Sequence, residues 1–277
     1  MRPTLRLSFL ITLANCVSSF ARPSVFARHP SPAEALNSFE CRCGSSKFLT
    51  LPHANITTPE KAKQCSSYKL IDARGTAEPQ GVSTMFYPMI EHILANITGG
   101  VSLPVEYAAG AAQNTTIGEN FVLDIISEGL HHCPGQTYAL FGYSQGATLM
   151  LRVLNRLDRN ALSLVKSVIL VGNPYRTPGK SSSVNETGQR DYSDSVGMFT
   201  SSALAANKNA NFPQLPIDID RSGKVLDYCL AGDGVCSYTP ACSCRIPAGH
   251  LSYGLVDTVQ TTAFEHVVAR IGKGGCN

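Results

Sequence analysis

At 277 residues the chain is long enough to bury one sizeable core, and a single large α/β domain is the simplest division of that length. Hydrophobic residues make up 43%, charged residues 16%, and the net charge is +3; this is the balance of an ordinary soluble globular protein, and it excludes the basic excess of a nucleic-acid binder. Partners must therefore be argued from a site.

The first residues, MRPTLRLSFLITLANCVSSFA, set Arg2 and Arg6 ahead of an apolar stretch that ends on the small residues Ser19 and Ala21. This is the pattern of a signal peptide over residues 1–21, with an apolar part well short of the ~18 residues a membrane span needs. No later segment is apolar enough to span a bilayer. A lipoprotein box with Cys16 lipidated is the rival reading, and Asn15 is too large for it. Sequons begin at Asn55, Asn96, Asn114 and Asn185, and with a signal peptide they imply a glycosylated, exported protein. Ten cysteines fit the disulfides of an oxidising compartment better than thiols or metal ligands. The C-x-C pairs Cys41/Cys43 and Cys242/Cys244 are tighter than the usual zinc spacing. Loss of Cys16 with the signal leaves an odd number of cysteines.

Residues 22–61 mix Pro, Ser and Gly without sustained period and read as a propeptide or flexible N-terminal segment, tied to the body only through Cys41 and Cys43. The domain proper is expected over 62–277. From Tyr68, YKLID is a short apolar strand running into the turn-rich ARGTAEPQG, and a helix with Met85, Met89, Ile93 and Ile97 on one face follows. VSLPVEY reads as a strand that Pro104 places at a sheet edge. IGENFVLDIISEGLHHC spaces Ile117, Phe121 and Ile125 beside Val122, Ile126 and Leu130 as an amphipathic helix. TYALFGY is a buried strand, GATLMLRVLNRL a helix, and VKSVILVG the next strand. Residues 175–222 form a long polar excursion, KVLDYC resumes the sheet, and a last helix carries Val256, Val259, Ala263, Val267 and Ile271. Strand and helix alternate, which implies a three-layer α/β/α sandwich around a central parallel sheet.

The stretch YALFGYSQGATLM sets Ser144 between two glycines, after a strand and before a helix. G-x-S-x-G in that context is a nucleophile elbow, a tight turn that exposes the serine hydroxyl at the carboxyl edge of the sheet. A serine needs a base, and the base a carboxylate to fix its tautomer, in the chain order Ser, Asp or Glu, His. Of the histidines downstream, His266 falls inside a regular helix, whereas His250 lies in the loop PAGHLSYG before it. Asp218, Asp220, Asp227 and Asp233 compete as the carboxylate. Asp227 falls within a strand and Asp218 and Asp220 in the excursion, so Asp233, in the Gly-rich CLAGDGVC between Cys229 and Cys236, is favoured.

Taken together, GYSQG, ARGTAE, CLAGDGVC and the following GHLSYG resemble the cutinase family of small secreted serine esterases, which includes acetylxylan esterases. The resemblance runs over roughly residues 62–272. It implies a lidless α/β-hydrolase with Ser144, Asp233 and His250 as a triad, an oxyanion hole from the N–H groups of Thr76 and Gln145, and no metal or organic cofactor. It also implies the disulfides Cys65–Cys133 and Cys229–Cys236, a polymeric or small ester as substrate, and a secreted monomer. Where cutinases have a short apolar loop, this chain inserts SYTPACSCRIPAG between Cys236 and His250, so Cys41, Cys43 and Cys276 are alternative partners for a further disulfide. Cutin or another aliphatic polyester, acetylated xylan and short esters all need the same triad. The rival class is a non-catalytic binding protein on the same fold.

Overall fold

The computed structural model describes residues 42–44, 63–242, 244 and 246–271; the expected signal segment, most of the expected N-terminal segment, and Cys16, Cys41, Asn55 and Cys276 lie outside them. Six strands form one sheet: β1 (Tyr68–Ala73), β2 (Gly100–Pro104), β3 (Thr137–Tyr143), β4 (Val165–Val171), β5 (Ser183–Val184) and β6 (Val225–Tyr228). Their order is β2-β1-β3-β4-β6-β5, and every neighbouring pair is parallel. The helices are α1 (Tyr87–Asn96), α2 (Thr116–His132), α3 (Gln145–Arg156), α4 (Arg159–Leu164), α5 (Met198–Ala206), α6 (Ile217–Arg221) and α7 (Asp257–Ile271).

Strands buried on both faces read as continuous apolar runs whose alternate residues serve opposite layers. Leu70, Phe141, Ile169 and Val171 pack with Met89 and Ile93 of α1 and Val259 and Val267 of α7. Ile71, Leu140, Val168 and Leu170 pack on the other side with Val122 and Ile126 of α2 and Leu149 and Val153 of α3. Each such large apolar side chain, withdrawn from water, contributes about 1.5–3 kcal/mol. The central strand β3 is paired on both sides, with β1 and with β4, so its carboxyl end is held from both edges.

Pro104 does sit in an edge strand, since β2 ends the sheet. Ile117 departs from the expected stripe: it is 73% exposed, and the buried positions run through Gly118, Val122, Ile125 and Ile126 instead. A Cβ at Gly118 would lie 2.5 Å from Leu149 Cδ1, so α2 approaches α3 along its glycine and turns Ile117 outward. The excursion is also more ordered than its polarity suggests, holding β5, α5 and α6. Arg176, 2% exposed, anchors it through Asp191 at 2.7 Å and Asp227 at 3.6 Å. Three disulfides join pairs of described residues: Cys65–Cys133, Cys229–Cys236 and Cys43–Cys244. Cys242 is disulfide-bonded as well. Among the described residues no helix is long and apolar enough to cross a membrane.

Candidate active site

Parallel strands bring their following loops to one edge. The loops after β1, β3, β4 and β6 converge there and carry Thr76, Ser144, Gly172 and Asp233. Ser144 adopts φ 54° and ψ −115°, a conformation that costs a non-glycine residue about 1–3 kcal/mol. The turn is possible because Gly146 presses on β1: a Cβ there would lie 1.9 Å from the Ala73 carbonyl oxygen. Gly142 is crowded in the same way, with a Cβ position 2.6 Å from Gly146 O.

His250 reaches this edge from a 3-10 turn, Ala248–Leu251. Its Nε2 stands 2.9 Å from Ser144 Oγ, and its Nδ1 stands 2.9 and 3.0 Å from Asp233 Oδ2 and Oδ1. An ionised carboxylate only accepts, so Nδ1 carries the proton and Nε2 of the neutral ring is left to accept from the serine. The ring has room because Gly172, at φ +61°, puts no Cβ where it would come within 2.6 Å of His250 Cε1. The Tyr143 ring lies 5.0 Å from the imidazole, and its hydroxyl donates to the His250 carbonyl at 2.9 Å.

Asp233 is 1% exposed. Burial pushes its carboxyl upward, but the facing His250, the Tyr253 hydroxyl and the Val235 N–H together hold it below the usual carboxylate range. The Tyr253 hydroxyl donates to Oδ2 at 2.6 Å and the Val235 N–H to Oδ1 at 2.8 Å. Tyr253 itself is pushed well above the ordinary phenol range by burial and by that carboxylate, so it remains a donor. The competing aspartates are engaged elsewhere: Asp220 accepts from Ser181 and Ser182, Asp227 from Asn173, and Asp218 is exposed. His266 lies in α7 beside the Lys224 carbonyl, 3.0 Å away.

The Gln145 N–H occupies the first turn of α3, where no intrahelical partner exists and the helix dipole favours negative charge. Facing it, Thr76 sits in the loop after β1. Its hydroxyl donates to Gln145 Oε1 at 3.4 Å and accepts from Gln113 Nε2 at 2.9 Å. Gln145 Nε2 donates in turn to the Gly110 carbonyl at 3.2 Å. Beneath this loop, the Glu78 carboxylate accepts from the N–H groups of Gly75 (2.6 Å) and Thr84 (2.9 Å) and from the Thr84 hydroxyl (2.8 Å). Arg74 binds the Glu78, Val105 and Tyr107 carbonyls.

Gln113, Tyr143, Tyr253 and Glu78 were not singled out by the sequence. Three of them lie inside the motifs ARGTAE, GYSQG and GHLSYG, which was their only signal. Gln113 had none; it stands in a loop and itself adopts φ 57°. Its neighbour Asn114, a sequon position, is exposed and accepts from the Thr116 N–H instead.

A family model described as Cutinase matches residues 64–271. The chain belongs to the cutinase family. This cutinase-family chain is 31% identical over 121 residues to a cutinase of Hypocrea jecorina, a match covering 40% of the chain and 47% of that relative. The chain thus spans about half the length of that relative. A cutinase of Monilinia fructicola is 24% identical over 231 residues, covering 80% of the chain and 94% of the relative. Among solved structures, a cutinase-like protein from Cryptococcus sp. superposes with TM-score 0.64 at 33% identity, over 76% of this chain and 98% of the other. An acetylxylan esterase shares the fold at TM-score 0.57 and 22% identity, over 76% of this chain and all of the other, 100%.

Proposed function

We propose that this cutinase-family chain is a secreted serine esterase that hydrolyses carboxylic esters through Ser144, His250 and Asp233. The observation that carries the reading is the unbroken contact sequence from Ser144 Oγ to His250 Nε2 and from His250 Nδ1 to Asp233, both at 2.9 Å. The Ser144 hydroxyl attacks the ester carbonyl while His250 takes its proton at Nε2. Asp233 stays ionised and stabilises the imidazolium through Nδ1. The N–H groups of Thr76 and Gln145 receive the oxyanion, each donor contributing about 3 kcal/mol in the transition state. His250 then protonates the departing alcohol, and water, activated by the same imidazole, releases the acid from the acyl-enzyme. Gln113 holds the Thr76 oxygen by donating to it, and the hydroxyl, 3.4 Å from Gln145 Oε1, turns its proton to the oxyanion as a further donor.

Aliphatic polyesters such as cutin are the substrate class the family membership favours. A second reading, esters of short acids such as acetylated carbohydrate, is favoured by the Cys43–Cys244 disulfide, which fastens the loop that in cutinases is short and apolar. Hydrolysis of p-nitrophenyl esters from acetate to palmitate separates the two. A Ser144-dependent rate highest at butyrate or longer supports the polyester reading, activity confined to acetate supports the short-acid reading, and an equal rate in Ser144→Ala removes the esterase reading altogether.

A further inference from the structure

The loop that delivers His250 is held from two sides. On one side it lies against the Asp233 turn: a Cβ at Gly249 would fall 2.6 Å from both Asp233 N and Gly232 C, and Pro247 Cγ is 3.2 Å from the Cβ position of Gly234. On the other side lies a three-residue piece of chain from about two hundred positions upstream. Gly44 N–H donates to the Ile246 carbonyl at 2.8 Å, and Ala248 N–H donates to the Arg42 carbonyl at 2.8 Å. Between these two bonds Cys43 is paired with Pro247 in an antiparallel bridge and with Cys244 through a disulfide. Gly44 also packs closely, its Cβ position lying 2.6 Å from Leu251 Cδ1 and 3.3 Å from Ala248 Cα.

We infer that residues 42–44 form a strap that positions His250, pressing its turn onto the Asp233 loop, so that this part of the N-terminal segment belongs to the working enzyme and is not a dispensable leader. The inference rests on the proposed triad. The inner side of the turn is held by the Tyr143 hydroxyl on the His250 carbonyl and by the close approach of Gly249 to the Asp233 loop, and the two strap bonds close its outer side. The imidazole must be correct at both nitrogens at once, and a shift of about 1 Å at either contact costs up to about a hundredfold in rate. Cys43 and Gly44 are positioning residues: their contacts run to Cys244, Ile246, Pro247, Ala248 and Leu251, and they act through His250. The disulfide adds a consequence for processing, because a cut in the chain between residues 44 and 63 leaves the strap covalently attached to the loop.

The test compares the full chain with Gly44→Pro, which removes the N–H that bonds Ile246, and with Cys43→Ser/Cys244→Ser, which keeps both backbone bonds. Active sites are counted with a chromogenic p-nitrophenyl phosphonate, and kcat and KM on p-nitrophenyl butyrate are expressed per titrated serine. A strap that only held the fold together would lower the number of titrated sites and leave kcat per site unchanged. The positioning role requires kcat per site to fall about tenfold in Gly44→Pro and about threefold in the double variant, with KM within about twofold of wild type. Values of kcat per site within twofold of wild type in both variants overturn it. Should Gly44→Pro fail to accumulate as folded protein, the double variant decides alone, a loss of twofold or more supporting the strap and a smaller one overturning it. Ser144→Ala runs alongside: hydrolysis that survives it means that the triad reading has failed and the strap's catalytic role falls with it, whereas hydrolysis lost in Ser144→Ala but unaltered per site in the strap variants means that the strap alone has failed.

Discussion

Asp233 stays charged although it is buried, because its neighbours outweigh its burial. Its Oδ2 receives both His250 and the Tyr253 hydroxyl. Asp233→Asn replaces an acceptor-only group with an amide that presents a donor to Nδ1, and selects the tautomer whose Nε2 carries the proton. The fold is expected to survive while kcat falls about a thousandfold or more, read by steady-state kinetics with thermal unfolding as control. Tyr253→Phe removes one of the donors and leaves the tautomer intact, so a loss of about tenfold is expected, together with a rise in the Asp233 pKa. Gln113→Ala is expected to lower kcat about tenfold with little change in KM, since it frees the Thr76 hydroxyl without touching bound ester. Ser144, Asp233 and His250 were legible because each sits in a local motif and the chain order is constrained. Gln113 was not, because a side chain that acts from a neighbouring loop leaves no periodic or turn signal.

Elements explain what residues cannot. The strands and the helices beside them were legible because both faces of a parallel sheet are buried and the apolar periods are sustained. The excursion was not, because β5 has only two residues and α6 five, too few for any period. Their placement depends on Arg176 and Asp220, buried groups paired across chain separations that no local pattern reports. The elbow is the element with least tolerance. Gly146→Ala forces a Cβ onto the Ala73 carbonyl of β1, which cannot withdraw without breaking its own ladder. A loss of about 3 kcal/mol or more is expected in denaturant unfolding. The Cys65–Cys133 bridge closes a separation of 68 residues and fastens the start of β1 to the end of α2. Cys65→Ser/Cys133→Ser is expected to destabilise the protein by about 4 kcal/mol on the chain-entropy model, with little effect on kcat.

At the scale of the whole molecule, buried titratable groups set the dependence of stability on pH in opposite directions. Burial pushes the His266 imidazole down to about 4 from 6.5. The unfolded chain therefore binds the extra proton between those values, and stability is lost as pH falls from about 6.5 toward 4. His266→Gln is expected to flatten that limb, by about 2 kcal/mol at pH 4 after allowance for partial exposure. Asp72 runs the other way. Burial raises its carboxyl well above 3.8, an effect that the Ser83 N–H and Arg74 reduce and Glu78 reinforces. Here the folded state holds the proton, so stability falls as pH rises from about 4. Asp72→Asn retains an acceptor for the Ser83 N–H and is expected to gain stability over wild type as pH rises above about 4, measured by urea unfolding at each pH.

The central claim is that one serine, activated by His250 and Asp233, forms the acyl-enzyme. The most direct measurement is phosphonylation by a p-nitrophenyl phosphonate, followed by mass spectrometry of the digested chain and by residual ester hydrolysis. The account requires one adduct per chain, on Ser144, with hydrolysis lost in proportion and labelling slowed in His250→Ala and Asp233→Asn. An adduct on another residue, or full hydrolysis by a chain labelled at Ser144, would contradict it.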